Sequence, residues 1–242
     1  EWDTFVKIHE TEHLSCITKE NWETYSGIID RMFAATSANL MAKVVIDAVH
    51  EGVGPRSILS FNVEAVFLTL LNFYYMQTGN RVLFDRIANS IHVQKHDRIP
   101  YFHCHGVIPI NGYSARKGHL ASDKLVLTED NYLELANNSF SWQATSFIDN
   151  CMNRRVVFCG VSLTDANMRR WLSWIHANKM AEFKENGLDC KDATEHFWIR
   201  KKPNTIQEKI WLEESVAHLG VRLVWIDEWN QTGKVLKRML GL

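Results

Sequence analysis

Short apolar runs alternate along the chain with segments in which apolar residues recur every three or four positions. The first pattern is typical of buried strands and the second of amphipathic helices. Because the two patterns alternate, we predict an α/β fold with a Rossmann-like, doubly wound and mainly parallel sheet that has helices on both faces. The predicted strands lie within 56–64, 99–106, 125–128, 155–160, 197–199 and 221–226, and the predicted helices within 19–36, 37–50, 65–76, 129–137, 139–152, 166–185, 206–219 and 229–240.

Two segments interrupt this alternation. Residues 81–94 have a mixed pattern that assigns them to neither a strand nor a helix, and 107–124 are rich in turn residues, which predicts a loop or lid. The chain has 242 residues, of which 46% are hydrophobic. That length is typical of one α/β domain, so we predict a single domain over 1–242.

The charge and the cysteines narrow the class of protein. The formal net charge of −1 gives no basic field that would favour nucleic acid or an anionic membrane, and no apolar run is long enough to span a bilayer. The five cysteines are odd in number and scattered, which indicates reduced thiols and a cytoplasmic protein. We expect no metal site, because no C-x-x-C pair occurs and His92 and His96 have no evident third ligand.

Three predicted strands end in polar or glycine-containing turns. In a doubly wound parallel sheet these ends point to one edge, which is where such sheets bind their ligands. We therefore expect a site built from distant parts of the sequence. The three turns are Ser60-Phe61-Asn62, His105-Gly106 and Gly160-Val161-Ser162.

Each turn has a chemical and a structural interpretation. Histidine titrates near neutrality, so His105 at a strand end is a candidate general base, or else a structural histidine hydrogen-bonded under the next loop. His103 lies on the same strand face and competes for the role, although Gly106 favours His105 because a glycine admits a ligand to the backbone. Asn62 can hold a water or a sugar hydroxyl, or it can cap the helix that follows.

The third turn is equally open to two interpretations. Gly160 and Ser162 admit a ribose or a phosphate, or they form a tight strand-to-helix turn that Asp165 caps. Further along, the basic cluster 200–202 is interpreted as a solvated strand end.

Four segments, taken in order, resemble the sirtuin-like NAD-hydrolase domains of bacterial antiphage defence proteins. Those domains have a T-x-N strand end, an H-G strand end, an L-V-L-T-E-D-D-Y segment and an F-V-G-Y-S-L-S-D-P-N turn. The resemblance extends over about residues 56–178, and its last two segments are the most specific. The matching segments are 60–64, 105–106, 125–132 and 156–167.

The resemblance implies that NAD binds as a substrate at the carboxyl edge of the sheet, where its nicotinamide–ribose bond is cleaved. By matching position, Asn62 would hold the attacking water or the ribose hydroxyls, and His105 would act as the base. Gly160 and Ser162 would line the adenine-side ribose. The other residues implied to contact NAD are Ser60, Phe61, Glu64, Gly106 and Asp165.

The chain departs from the family pattern in two places. Glu64 replaces the usual aspartate, which keeps the charge and lengthens the reach. We also expect the chain to begin after the first strand of the family and its G-A-G-x-S phosphate cradle, because neither is found in it. The missing C-x-x-C pairs, which form a zinc ribbon in protein-deacetylating sirtuins, favour NAD hydrolysis over deacylation.

The resulting hypothesis is an NAD hydrolase that depletes NAD in bacterial immunity by abortive infection. A partner or a small signal would gate it within a homo-oligomer or a larger defence complex that has a sensor domain or subunit. One alternative is a non-catalytic sensor that binds NAD or ADP-ribose at the same strand ends. The other is an NAD-dependent protein deacylase.

Overall fold

The computed structural model describes residues 37–63, 66–78, 83–92, 94–107, 125–126, 128–138, 140–193 and 196–242. The predicted helix over 19–36 and the predicted loop from 108 to 124 lie outside the described residues. In chain order the helices and strands are α1 (Ser37–His50), β1 (Ile58–Ser60), α2 (Val66–Gln77), β2 (Phe84–Ile87), β3 (Ile99–His103), α3 (Glu129–Asn137), α4 (Trp142–Asn153), β4 (Val157–Phe158), α5 (Ala166–Glu185), β5 (His196–Lys201), α6 (Ile206–Ala217), β6 (Val221–Ile226) and α7 (Thr232–Met239).

Contacts divide the chain into two compact units. The first comprises Glu1–Leu127 with Thr232–Leu242, and the second comprises Thr128–Gln231. Each unit is described by itself below. The single domain predicted over 1–242 stays a prediction.

The first unit contains a parallel sheet in the order β1-β3-β2. Leu70, Leu71 and Phe73 of α2 and Tyr101 of β3 are almost completely buried, so apolar burial holds this unit together. The register of β1 against β3 places Ser60 opposite His103, at the carboxyl ends of both strands. The polar turns that follow these two strands therefore leave from the same edge.

The last helix packs in the first unit. α1 contacts both α2 and α7, and α7 approaches α1 at Gly233, where a Cβ atom would lie 3.1 Å from the Cβ of Leu40. A side chain at this position would make a tighter contact than is usual, so glycine suits the close approach of the two helices. A glycine in the closing helix thus has a packing role.

The second unit contains a parallel sheet in the order β4-β5-β6. α5 connects β4 to β5 and α6 connects β5 to β6, and right-handed crossovers between successive neighbouring strands put both helices on one face. Arg169 of α5 donates from Nη2 to the carbonyl oxygen of Ser215 in α6, 2.8 Å away, which links the two helices. The ring of Phe147 in α4 lies 5.5 Å from that of Trp171 in α5 and 6.4 Å from that of Phe158 in β4.

The predicted α/β class with parallel strands is confirmed. The helix predicted over 166–185 has those bounds in the structure, and so does the strand predicted over 221–226.

Two predicted strands need correction. Residues 125, 126 and 128 are not in a strand; among the described residues, Val126 N donates one backbone hydrogen bond, to His105 O. The strand predicted over 155–160 is only Val157–Phe158. It ends early because Gly160 has a φ of +68°, which breaks the extended conformation.

The unassigned segment 81–94 contains β2. Asp85, which is only 3% exposed, interrupts the apolar pattern of this segment. Although burial would raise the pKa of this carboxyl, hydrogen bonds from Lys95 N and the His92 ring lower it overall. A carboxylate satisfied in this way is compatible with a buried strand, and the sequence pattern does not reveal it.

Candidate active site at the strand ends

The edge of the first sheet is fixed by pairing that continues past the strands. Cys104 N donates to Ser60 O at 2.8 Å, one residue beyond the last register pair of β1 and β3. This bond holds the two outgoing segments side by side. The turn that contains Asn62 and the turn that contains His105 therefore leave the sheet at the same edge.

The turn after β1 is organised by Ser60. Its hydroxyl donates to the carbonyl oxygen of Asn62 and accepts from the Asn62 N–H, both at 3.3 Å. The hydroxyl thus fixes the backbone of the turn. The Asn62 residue itself is exposed, so its amide group is available to a ligand.

The turn after β3 buries its histidine. The His105 residue is 5% exposed, and the ring of Phe61 packs against its imidazole edge-on, with 5.1 Å between ring centroids. The carbonyl oxygen of His105 accepts from Val126 N at 3.0 Å. Gly106 has a φ of +78° and donates from its N–H to His103 O at 3.0 Å, so a glycine is suited to the end of this strand.

His103 is part of the interior. The residue is fully buried, and neither ring nitrogen has a hydrogen-bond partner among the described residues. Burial, with a smaller contribution from the Arg86 charge, lowers the pKa of His103 to about 3. His103 is therefore neutral near pH 7, and it has no access to a ligand at the surface.

The turn after β4 lies in the second unit. A Cβ atom at Gly160 would meet nothing within 4 Å, so the space beside this glycine is open. The hydroxyl of Ser162 is 2.6 Å from that of Thr164, and Ser162 Oγ also accepts from Thr164 N at 3.4 Å. Between them Leu163 has a φ of +53° and is buried, which makes this a tight turn whose conformation its side-chain packing stabilises.

Asp165 is the N-cap of α5. Its carboxylate accepts from Asn167 N at 2.8 Å and from Met168 N at 3.3 Å. Burial and the Asp165 charge together raise the pKa of the nearby Tyr132 hydroxyl. The capping interpretation of Asp165 is confirmed, and a direct contact with NAD stays a prediction.

In the basic cluster 200–202, Lys201 and Lys202 are exposed, as expected for a solvated strand end, whereas Arg200 is half-buried. The guanidinium of Arg200 lies over the indole of Trp198, 4.6 Å from the ring centroid. Trp198 in turn donates from Nε1 to Val161 O at 3.0 Å, within the turn after β4. The alternation Trp-x-Arg on a strand places both side chains on one face, which is the signal in the sequence.

The predicted site residues thus fall into two groups. Ser60, Phe61, Asn62, His105 and Gly106 come together at the edge of the first sheet. Gly160, Ser162 and Asp165 come together around one turn of the second unit. Glu64 lies outside the described residues.

Three cysteine thiols, those of Cys104, Cys151 and Cys159, are poor nucleophiles. Cys104 is fully buried, and burial raises the pKa of its thiol well above the usual range. Burial also raises the pKa of Cys151 and of Cys159 to about 12. A nucleophile must be a thiolate, so none of these three is suited to covalent catalysis near pH 7.

The described residues contain no cluster of three or more His, Cys, Asp or Glu side chains that could hold a metal ion. His92 follows β2 in a loop, and its Nε2 lies 3.0 Å from Oδ2 of Asp85. Within the described ranges no helix has both the length and the apolar character needed to cross a membrane.

Comparison with known proteins adds one finding. A family model described as SIR2-like domain matches residues 67–219, more than half of the chain. That range includes His105 and the whole turn from Gly160 to Asp165, and it begins after β1 and Asn62. No match was found among curated proteins.

We expect His103 to make stability depend on pH. The folded protein keeps it neutral down to a pKa of about 3, whereas the unfolded chain takes up a proton below about 6.5. The contribution of neutral His103 to the free energy of unfolding is therefore present above pH 6.5. It is lost as the pH falls toward 3, at up to ~1.4 kcal/mol per pH unit. Urea unfolding at about pH 7 and about pH 5 should show a loss on the order of 2 kcal/mol that is absent in His103→Gln.

The control for this measurement is His96→Gln, because His96 is exposed in the same unit. It should keep the pH dependence of the native protein. If His103→Gln and the native protein lose the same free energy between the two pH values, His103 is not held neutral in the fold.

A second pair of variants separates the capping role of Asp165 from the effect of its charge. Asp165→Ala removes the cap of α5 and should lower the free energy of unfolding by about 1 kcal/mol. Asp165→Asn keeps an oxygen that can accept the same N–H groups, so its stability should stay close to native. Urea unfolding measures both, and an equal loss in the two variants would show that the carboxylate charge matters rather than the cap.

Proposed function

Because the chain belongs to the family of SIR2-like domains, we propose that it hydrolyses the nicotinamide–ribose bond of NAD, giving nicotinamide and ADP-ribose. Membership of this family indicates an NAD-related activity on a Rossmann-like fold. The observation that carries the proposal is the pairing of β1 and β3, which sets an exposed amide, Asn62, and an imidazole, His105, at one sheet edge. Sheets of this kind bind nucleotides at that edge.

The chemistry needs little acid catalysis. In NAD the nicotinamide nitrogen is cationic, so when the C–N bond breaks, its electron pair returns to the ring and neutral nicotinamide leaves. The remaining ribose has oxocarbenium character, and a water molecule adds to C1′ and loses a proton. The protein must mainly position that water and accept its proton.

Two side chains have the chemistry for these steps. Asn62 is exposed and offers both a donor and an acceptor, which suits the orientation of a water or of the ribose hydroxyls. His105 offers an imidazole that can accept the proton. The edge-on contact with Phe61 restricts the orientation of that ring.

In this proposal the other predicted site residues bind rather than react. Gly160 and Ser162 stay predicted ribose contacts, and Gly160 has open space beside it. Asp165 would act through the helix that it caps. Ser60, Phe61, Glu64 and Gly106 would shape the nicotinamide side.

The resemblance of four segments to antiphage NAD hydrolases supports a biological role. We propose that the protein acts in the cytoplasm as an NAD-depleting effector of bacterial defence. Its activity would be gated by a partner or small signal within a homo-oligomer or a larger complex. Depletion of NAD stops metabolism in the infected cell, which is why such an activity requires gating.

A second candidate is a non-catalytic sensor of NAD or ADP-ribose. The burial of His105 favours it, since a base that is 5% exposed cannot reach a substrate in this conformation without local movement. The sensor would bind the nucleotide at the same edge without releasing nicotinamide.

Nicotinamide release from NAD by the full-length protein, with and without candidate activators, tests the proposal. His105→Ala and Asn62→Ala should each lower the rate by about 10²-fold or more, because each removes a group that acts on the attacking water. His96→Ala is the matched control, since it removes an exposed histidine from the same unit and should keep the native rate.

Binding measured on the same samples separates the two candidates. Nicotinamide release that survives in both site variants contradicts the assignment of Asn62 and His105. Binding of NAD without release under any condition identifies the sensor instead.

A further inference from the structure

The carboxyl end of β5 presents three consecutive cations that have different surroundings. Lys201 Nζ lies 2.9 Å from both carboxylate oxygens of Glu228, and Lys202 Nζ lies 2.8 Å from Oδ1 of Asp227. The Lys202 amine lowers the pKa of Asp227, as expected for such a pair. Both lysines are therefore paired with carboxylates.

Arg200 is the exception. Among the described residues it takes part in no ion pair, and its guanidinium instead stacks on Trp198. The indole is 2% exposed and is held by its hydrogen bond to Val161 O, so it is a rigid support. Stacking orders the guanidinium while its N–H groups remain available, because a cation–π contact uses the face of the group.

The position of Arg200 is that of a ligand-binding residue. Phe158 is paired with Trp198, so Arg200 lies two residues past the end of β4, at the edge from which the turn after β4 leaves. Both α5 and α6 begin at this carboxyl edge, since each follows a strand of the sheet directly. In parallel α/β sheets this edge is where anionic groups of nucleotides bind.

The helix ends at this edge already have their own acceptors. Asp165 accepts from two N–H groups at the start of α5, and Thr205 accepts from Glu208 N at the start of α6. A bound anion would have to compete with these caps. The Arg200 guanidinium is therefore the strongest uncommitted donor at this edge among the described residues.

We propose that Arg200 binds a phosphate group of the nucleotide at the carboxyl edge of the second sheet. The inference rests on the proposed function, because it names the part of the NAD-type ligand that this edge recognises. A planar guanidinium donates two parallel hydrogen bonds to a phosphate, which a lysine amine does not. The phosphate comes from one of two places, the pyrophosphate that NAD and ADP-ribose share or a 2′-phosphate on the adenine-side ribose.

Equilibrium binding to the full chain tests this proposal with four probes: adenosine, 5′-AMP, 2′-AMP and ADP-ribose. Arg200→Gln should raise the Kd of the phosphate-bearing probes by about tenfold and leave the Kd of adenosine unchanged. Arg200→Lys, which keeps the charge but loses the planar fork, should give an intermediate Kd. Lys202→Gln is the matched control, because its amine is already paired with Asp227.

The pattern across the probes identifies the source of the phosphate. A rise in Kd that is limited to 5′-AMP and ADP-ribose assigns Arg200 to the pyrophosphate. A loss limited to 2′-AMP assigns it to a 2′-phosphate, and hydrolysis of NADP should then fall more than hydrolysis of NAD. The proposal is overturned by unchanged Kd values, by an equal loss for adenosine, or by a native protein that binds none of the probes.

Nicotinamide release in the same samples keeps this inference separate from the proposed function. A selective loss of phosphate binding in Arg200→Gln, with no release of nicotinamide by the native protein even when the candidate activators are present, supports the phosphate site and rejects the hydrolase. Release of nicotinamide with unchanged binding in Arg200→Gln supports the hydrolase and rejects the phosphate site. Thermal unfolding of each variant checks that the fold is intact.

Discussion

The hydrogen bond from Cys104 N to Ser60 O joins two segments of the chain that are separated by more than forty residues. It is possible only because β1 and β3 are parallel and in the register that sets Ser60 against His103. A shift of one residue would turn the side chains of β3 to the opposite face. The positions of Asn62 and His105 relative to each other depend on that register.

The same strand end shows how burial gives two histidines different properties. His103 and His105 are two residues apart, yet the first lies in the interior with a strongly lowered pKa. His105 has left the strand, contacts the ring of Phe61 and precedes a glycine with positive φ. The surroundings of the two histidines therefore depend on where the backbone leaves the strand, although the residue type is the same.

Much of this arrangement could be predicted from the sequence. The apolar patterns predicted the bounds of α5 and β6, whereas the preference for His105 over His103 stays a prediction. The missed elements depend on long-range contacts. β2 contains a buried carboxylate whose partners come from a later loop, and β4 pairs with β5 at only two positions. The pairing of two lysines beside a stacked Arg200 depends on residues after β6, which no local pattern shows.

The burial of Cys104 has a practical consequence. Its backbone N–H makes the hydrogen bond that aligns the two strand ends, while its side chain stays protonated in the interior. A thiolate is the nucleophile that attacks peroxide and alkylating reagents, so this protonated and buried thiol should resist both. Cys104 therefore does not make the candidate site a redox sensor, although it lies between His103 and His105 in the sequence.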